Sequence, residues 1–509
     1  MYALTPELMR KIDAEQAKLQ TNGERTLMYN AGLCAVQAIE GSVRGGSAVI
    51  LCGAGNNGGD GYVIAEELCL QGREVYVFNY QPQKRRKNAA RYYMHRARSA
   101  GCRFRPLADD KHLRQRLKEC SVVVDAVFGT GFHGALPEEL CSIFELVAES
   151  SAYKVAIDCP SGIDPLKGTV ENCAFVADMT VCMSYPMRGI YLLPARAYVG
   201  KVEVCDIGMD YRAIDAAYDF TDTVCDRDTV RRVFKKRNMF GHKGSFGKVL
   251  LICGSEAMPG AAVLALSGAL RMGPGLCELC APDKVIAAAS AKFPEALYTR
   301  VPDTSQWSDD DVSKLVSRAE GCAAVLCGCG LGNSEGTKKL VQALCSLKDV
   351  RVVFDADGIN ALGECEWRGD GNILLTPHPK EFSRLTKRGV DEINSDRYEL
   401  AKEFAADKNA VVLLKGADTV VADPSGRVCL NPTGNAGLAK GGSGDVLAGM
   451  CVGILGWSSS LLDAASCAAY LHGAAGDLLK SRYSEYGYLT GELAETAARV
   501  LGDTLKDEK

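Results

Sequence analysis

The sequence predicts a two-domain α/β protein in which each domain is built on a largely parallel sheet flanked by helices. Three observations lead there. At 509 residues the chain is too long for one ordinary core, because domains run about 100–200 residues and α/β units somewhat more. Short, nearly continuous apolar runs recur from end to end, as strands buried on both faces require. Helical patterns separate these runs, and the resulting βαβ rhythm sets successive strands parallel.

In the first half, runs at 47–52, 74–79, 121–127, 154–158, 179–183 and 201–207 predict strands, with helices over 60–71 and 88–101. In the second, strands are expected at 248–253, 323–327, 352–355, 373–376 and 411–415, and helices at 260–272, 396–407 and 444–455. The polar stretch 210–236 lies between the two sets and predicts domains 1–215 and 216–509. No low-complexity segment or short repeat is visible.

Composition narrows the function class. Hydrophobic residues make up 47% and charged residues 24%, an ordinary globular balance. With 59 basic and 63 acidic residues the net charge is -4, so no overall field favours nucleic acid or an anionic membrane. The basic run at 84–87 follows a proline and reads as solvated surface. No run of about 20 apolar residues exists to span a bilayer. The first residues form a charged amphipathic helix without the apolar core of a secretion signal, which predicts a cytoplasmic protein. The 22 cysteines are scattered through apolar runs and are expected to be reduced and buried. Only Cys277 and Cys280 form a C-x-x-C, and no second pair at zinc spacing accompanies it.

The chemistry of the first half gathers at strand ends. The run 47–52 leads directly into GAGNNGGDG at 53–61 and then a helix. Glycines let backbone amides approach an anion, and a helix N-terminus favours negative charge. The run 121–127 carries Asp125 and leads into FGTGFHGALP; the run 154–158 ends in Asp158 and leads into CPSGID with Ser161. In open α/β sheets ligands sit outside the carboxyl ends of the strands. Asn57, Asp125, Asp158 and Ser161 offer oxygens that suit a hard cation beside a phosphate-bearing ligand. The alternatives are local: Asp125 as a helix cap, Asp158 as the residue before a proline turn.

This half, with LMYNAG at 27–32, resembles the NAD(P)H-hydrate epimerases over roughly residues 8–210. The resemblance implies a Rossmann-like doubly wound sheet. It implies that Asn56, Asn57, Gly58, Gly59 and Asp60 bind a hydrated nicotinamide nucleotide, together with Gly129, Thr130, Gly131, Phe132, His133, Gly134, Ala135 and Asp158. It implies potassium on Asn57, Asp125 and Ser161. The implied reaction is inversion at C6 of the hydrated ring, with Asp158 transferring a proton or stabilising a cationic ring. Tyr29 stands where that family often has an acidic residue.

The strongest signal in the second half is NPTGNAGLAKGGSGDVLAGM at 431–450. Phosphoryl transfer needs amides aimed at a developing negative charge and a base beside the accepting hydroxyl. The glycine-rich turn entering a helix supplies the first and Asp445 the second. A C-cap glycine followed by an N-cap aspartate would give the same letters without chemistry.

The segment resembles the G-x-G-D core of ribokinase-like proteins, which implies a C-terminal ribokinase-like α/β domain. The motifs GHKGSFGKVLLICGS, GCGLG, DADGIN, TPHPKEF and LKGADT follow in the order of the NAD(P)H-hydrate dehydratases over most of 238–491. That resemblance implies substrate contacts from Ala261, Gly332, His378 and Asp445. It implies an adenine nucleotide held by Lys415, Gly416, Ala417, Asp418, Thr419 and Gly444, and magnesium on the phosphates. Asp355 and Asp357 read equally as magnesium-proximal or as turn-forming. Lys440 and Ser443 stand where many relatives carry a small residue and threonine. The implied reaction phosphorylates the C6 hydroxyl from ADP and expels phosphate, with a homo-oligomer as the expected assembly. A vitamin or sugar kinase with a regulatory first domain shares the G-x-G-D core but neither the 53–61 loop nor TPHPKEF.

Overall fold

Seven strands form one fully parallel sheet in the first half of the computed structural model, which describes residues 1–81, 84 and 88–506. Residues 85–87 of the basic run lie outside the described residues. The strands are β1 (Ser47–Cys52), β2 (Val75–Asn79), β3 (Arg103–Pro106), β4 (Cys120–Ala126), β5 (Tyr153–Ile157), β6 (Met179–Met183) and β7 (Lys201–Cys205). Their order is β3-β2-β1-β4-β5-β6-β7. Ile50 at the centre pairs with Val77 on one side and Val124 on the other, all fully buried. The direction of winding reverses between β1 and β4, so their carboxyl ends open a crevice.

The second unit carries a ten-stranded sheet. Its strands are β8 (Asp222–Val224), β9 (Lys248–Ile252), β10 (Leu276–Ala281), β11 (Leu297–Arg300), β12 (Ala324–Cys327), β13 (Arg351–Phe354), β14 (Ile373–Leu375), β15 (Val411–Leu414), β16 (Val420–Ala422) and β17 (Val428–Leu430). The order is β11-β10-β9-β12-β13-β14-β15-β16-β17-β8, with β15, β16 and β17 pairing antiparallel. Here the reversal lies between β9 and β12. Helices Pro259–Arg271 and Ser443–Leu455 pack backbone to backbone across this unit's core. A Cβ on Gly449 would meet the Ala265 carbonyl oxygen at 1.9 Å, and one on Gly268 the Val446 oxygen at 2.3 Å. Only glycine admits that approach.

The two units comprise Tyr2–Asp222, and Thr223–Lys509 with Met1. No described helix is long and apolar enough to cross a membrane.

Several expectations need correction. The helix read as starting at residue 60 begins at Asn56, so NNGGDG forms its opening turns rather than a loop. Gly58 and Gly59 lie against the Gly53 backbone and the Met28 side chain, an approach that offsets their weak helix propensity. The strands β3, β8, β10, β11, β16 and β17 went unread. Most are three or four residues long, and β3 and β11 are largely exposed edges without a clear apolar run. Cys277 and Cys280 lie within β10, where a spacing of three turns the side chains to opposite faces. Of the cysteines expected to be reduced and buried, Cys34, Cys69, Cys205, Cys345 and Cys365 are free but only half-buried, and one pair is oxidised. Cys141, on helix Glu138–Glu149, and half-buried Cys173 come within 5.8 Å at their Cα atoms and form a disulfide. The two lie 32 positions apart in the sequence, a pairing that no local pattern announces.

Candidate active sites

The first site lies at the β1/β4 crevice, where a cavity of about 550 Å³ opens. Asn56 and Asn57, from the first turn of helix Asn56–Leu70, and Asp60, from its second, form part of its wall. Gly129, Thr130, Gly131 and Phe132 follow β4, and Asp158 follows β5. Gly58 and Gly59 set the helix position instead of lining the cavity. His133 turns to Asp164, 3.3 Å away, and neither Gly134 nor Ala135 is part of the wall.

Behind the wall, four residues interlock. Asn57 donates from Nδ2 to the Phe128 carbonyl at 2.7 Å. Ser161 Oγ donates to Asp125 Oδ1 at 2.8 Å and accepts from Phe128 N at 2.9 Å. Asp125 also receives the Ser161 amide at 2.7 Å and the Val127 amide at 3.1 Å. Asn57 Oδ1 is buried without a hydrogen-bond partner. An orphaned oxygen beside a buried carboxylate, a hydroxyl and a carbonyl is a donor set that fits a hard cation. Burial raises the Asp125 carboxyl to about 6, so its ionised form gains from a nearby positive charge.

The cavity is strongly acidic. Burial first, then the charges of Asp158 and Glu24, raise Asp13 to about 7. Burial, then Asp158 and Asp13, hold Asp60 well above the usual carboxylate range. Asp158 rises to about 6 through burial. Its φ of 63° is left-handed, a costly backbone for a non-glycine residue that aims its carboxyl from the strand end. Apolar groups complete the wall: Met9, Leu27, Met28, Ala31, Met183 and Ile207. Sequence reasoning missed Asp13 and Glu24. Asp13 sits beside the buried stripe Met9, Ile12 and Gln16 of helix Pro6–Leu19, a burial that the charges spread along this segment conceal.

The LMYNAG motif also acquires a reason. Leu27, Met28 and Ala31 face the cavity, and a Cβ on Gly32 would strike Val63 at 2.3 Å. Tyr29 stacks instead on Tyr93 with centroids 6.2 Å apart.

In the second unit, helix Ser443–Leu455 starts from Gly442 at φ 88°, with Asp445 in its first turn. One oxygen each from Asp445 and Asp355 and the Cys329 sulfur lie within 4.8 Å of one another. Burial, then the Asp355 charge, raises Asp445 to about 7. Lys415 Nζ pairs with Asp355 at 2.8 Å and lies 3.9 Å from Glu381. That ammonium is 3.2 Å from where a Gly444 Cβ would stand, so it points at the glycine turn. His472 is buried and its Nε2 lies 3.1 Å from the Ser443 carbonyl and 3.2 Å from its hydroxyl.

The remaining expected residues surround this cluster. His378 caps helix Pro379–Thr386, its Nδ1 accepting from the Lys380 and Glu381 amides at 3.1 Å. Burial, then Lys415, lowers its pKa. The Gly332 amide donates to Asp357 at 2.8 Å, and Gly330 packs on the Ala261 methyl. Thr419 Oγ1 closes the 416–419 turn by donating to the Gly416 carbonyl at 2.8 Å. Arg397, unread in the sequence, braces this turn through Asp418 at 3.1 Å and the Lys415 carbonyl at 3.2 Å. Lys440 leaves the turn to place its ammonium over the Tyr488 ring, 4.2 Å from the centroid.

A Rossmann-like sheet with an acidic cavity at its switch point, joined in one chain to a ribokinase-like unit with a G-x-G-D helix, defines a class of two-unit enzymes acting on nucleotides. Comparison narrows the class. Residues 24–189 match the family model described as the YjeF-related protein N-terminus, and residues 249–499 match that of NAD(P)H-hydrate dehydratase. A bifunctional NAD(P)H-hydrate repair enzyme of Moorella thermoacetica is 35% identical over 98% of this chain and 97% of its own length. The chain belongs to the family of bifunctional NAD(P)H-hydrate repair enzymes. Among solved structures, the ADP/ATP-dependent NAD(P)H-hydrate dehydratase of Bacillus subtilis, co-crystallised with ATP and Mg²⁺, is 37% identical. It covers 55% of this chain and 98% of its own, with a TM-score of 0.50. A ribokinase-like superfamily protein of Enterococcus faecalis, 23% identical and covering 56% of this chain and 98% of its own, shares the fold at a TM-score of 0.50.

Proposed function

We infer that this protein repairs hydrated NADH and NADPH in two steps. The unit Tyr2–Asp222 interconverts the R and S forms at C6. The unit Thr223–Lys509 dehydrates the S form back to the dinucleotide while ADP becomes AMP and phosphate. The observation that carries the reading is Asp445, half-buried in the first turn of a glycine-led helix with Lys415 beside it.

A carboxyl raised to about 7 is a competent base for a ring hydroxyl at neutral pH. Asp445 takes the C6 hydroxyl proton as the oxygen attacks the terminal phosphorus of ADP. The helix N-terminus and the Lys415 ammonium stabilise the charge that grows on the transferred group. Phosphate then leaves where hydroxide would not, and loss of the C5 proton restores the ring. Magnesium, when bound on the nucleotide phosphates, supplies further charge neutralisation. The loop 415–419, fixed by Arg397, fits the adenine nucleotide, and Ala261, Gly332 and His378 fit the hydrated ring.

In the first unit, Asn56 and Asn57 at the helix N-terminus suit the pyrophosphate side of the substrate, and Asp158, with Asp60 beside it, suits C6. Potassium, when held by Asn57, Asp125 and Ser161, supplies a positive charge beside that end. The reading includes a cytoplasmic location, where the nicotinamide pools turn over. It includes self-association through exposed apolar side chains such as Met239, Phe240 and Tyr486; a single monomer peak in size-exclusion chromatography would remove that part.

The test incubates the protein with mixed R and S hydrated NADH, magnesium and either ADP or ATP, and follows reduced-nicotinamide absorbance. Full recovery of both epimers with ADP supports the reading. Formation of a stable phosphorylated alcohol without recovered NADH would favour the vitamin or sugar kinase instead.

A further inference from the structure

We propose that Asp13 is a second catalytic carboxyl of the epimerase, working with Asp158 at C6; the proposal rests on the epimerase reading above. Asp13 lies on helix Pro6–Leu19, outside every motif that carries the family resemblance. It nevertheless lines the same cavity as Asn57, Asp60 and Asp158. In the same cavity wall Asn57 is 8% exposed and its Oδ1 is unpartnered, an acceptor turned to a ligand.

Three carboxyls thus converge from three elements: two helices and a strand end. Crowding them costs stability, because like charges in a desolvated site oppose one another. Among the described residues no ion pair or hydrogen bond compensates the Asp13 side chain, and the charges acting on it are those of Asp158 and Glu24. Arg10, Lys84, Tyr80 and Tyr185 also face the cavity. An arrangement this unfavourable for folding is expected where chemistry uses it.

The chemistry requires two carboxyls. Inversion at C6 breaks the carbon–oxygen bond and remakes it on the opposite face. One carboxyl, protonated, gives its proton to the C6 hydroxyl. The bond breaks with its electron pair on oxygen, water leaves, and the ring-nitrogen lone pair spreads the positive charge over N1 and C6. Water then adds from the other face, and the second carboxylate takes the proton released. Atoms and charge balance, and the carboxyls exchange roles in the reverse direction. Asp60 and Glu24 stabilise the cationic ring in between. The raised carboxyls of Asp13 and Asp158, about 7 and about 6, let one be protonated while the other is ionised near neutral pH. Asp158 comes from a strand end and Asp13 from a helix, and both line the cavity that would take the ring.

The experiment uses the full-length protein with Asp13→Asn, pure R epimer and saturating potassium chloride, and resolves the epimers by chromatography. The expected result is a loss of kcat of about 100-fold or more, with KM within about threefold of the parent. Asp13→Glu retains an intermediate rate. ADP-dependent dehydration of pure S epimer is unchanged, and the thermal midpoint of Asp13→Asn is not lowered because repulsion has been removed. A kcat within about threefold of the parent overturns the proposal. So does a loss accounted for by a matching rise in KM or a lowered midpoint, since either marks a role in binding or structure. If the unsubstituted protein itself fails to epimerise in this assay, the epimerase reading falls and the proposal with it.

Discussion

Replacing Gly58 by alanine should separate the two activities. A Cβ there would stand 2.1 Å from the Gly53 carbonyl oxygen and 2.8 Å from its carbon, both backbone atoms that cannot rotate away. Ordinary contact begins near 3.4 Å, so helix Asn56–Leu70 must retreat by about 1.3 Å. Overpacking of this kind costs about 1–3 kcal/mol of stability in the unit concerned. The larger effect is on geometry, because Asn57 and Asp60 travel with the helix. A misplacement of about 1 Å costs about 100-fold in rate, equivalent to about 2.7 kcal/mol of barrier. The assay is epimerisation of the R form, with ADP-dependent dehydration of the S form and thermal unfolding as controls. Epimerisation should fall by about that factor while dehydration is untouched. An epimerisation rate within about threefold of the parent at an unchanged thermal midpoint would refute the claim that this glycine positions the site.

Asp445→Asn should reduce dehydration by about 100- to 10,000-fold and spare epimerisation, as measured by NADH recovery against loss of R excess. The pH profile of dehydration carries the same signature. Asp445 acts deprotonated and its carboxyl is raised to about 7, so the rate should rise about tenfold per pH unit below that value and level off above it. Ser161→Ala should weaken any stimulation of epimerisation by potassium, because Ser161 Oγ joins Asp125 to the Phe128 loop at 2.8 and 2.9 Å; titration with potassium and sodium chloride checks it. The first unit's stability should fall as pH rises from about 4 to about 7 in potassium-free buffer. Asp13, Asp125 and Asp158 are raised in the fold, so the native state binds more protons than the unfolded chain across that window. Thermal midpoints that rise over the same range would contradict those shifts.

The sequence made the helix-leading motifs visible because glycine, asparagine and aspartate cluster there more densely than an ordinary turn needs. Asp445, Asp125 and Ser161 were legible for that reason, and the structure joins the last two at 2.8 Å. The same letters misled about local form. NNGGDG reads as a loop by propensity, yet it is helical, because Gly58 and Gly59 are there to let the helix approach β1 and Met28. Asp13 was illegible because an aspartate on a charged amphipathic helix looks like surface until the helix is seated over the cavity. Cys329 and Arg397 were equally hidden, since their roles depend on Asp355 and Asp418, which reach them only through sheet order. The disulfide between Cys141 and Cys173 followed from no spacing rule, because the pairing depends on where the chain returns 32 positions later.

The central claim is that one chain holds two chemically distinct sites, one that inverts C6 without a nucleotide and one that removes its hydroxyl with ADP. The direct measurement is a time course on pure R epimer, resolving R, S, NADH, ADP and AMP together. Without ADP, the account predicts that R and S equilibrate with no NADH formed. On adding ADP and magnesium, both epimers should drain to NADH with one AMP formed per NADH. NADH appearing without nucleotide turnover, or R persisting after S is exhausted, would contradict it.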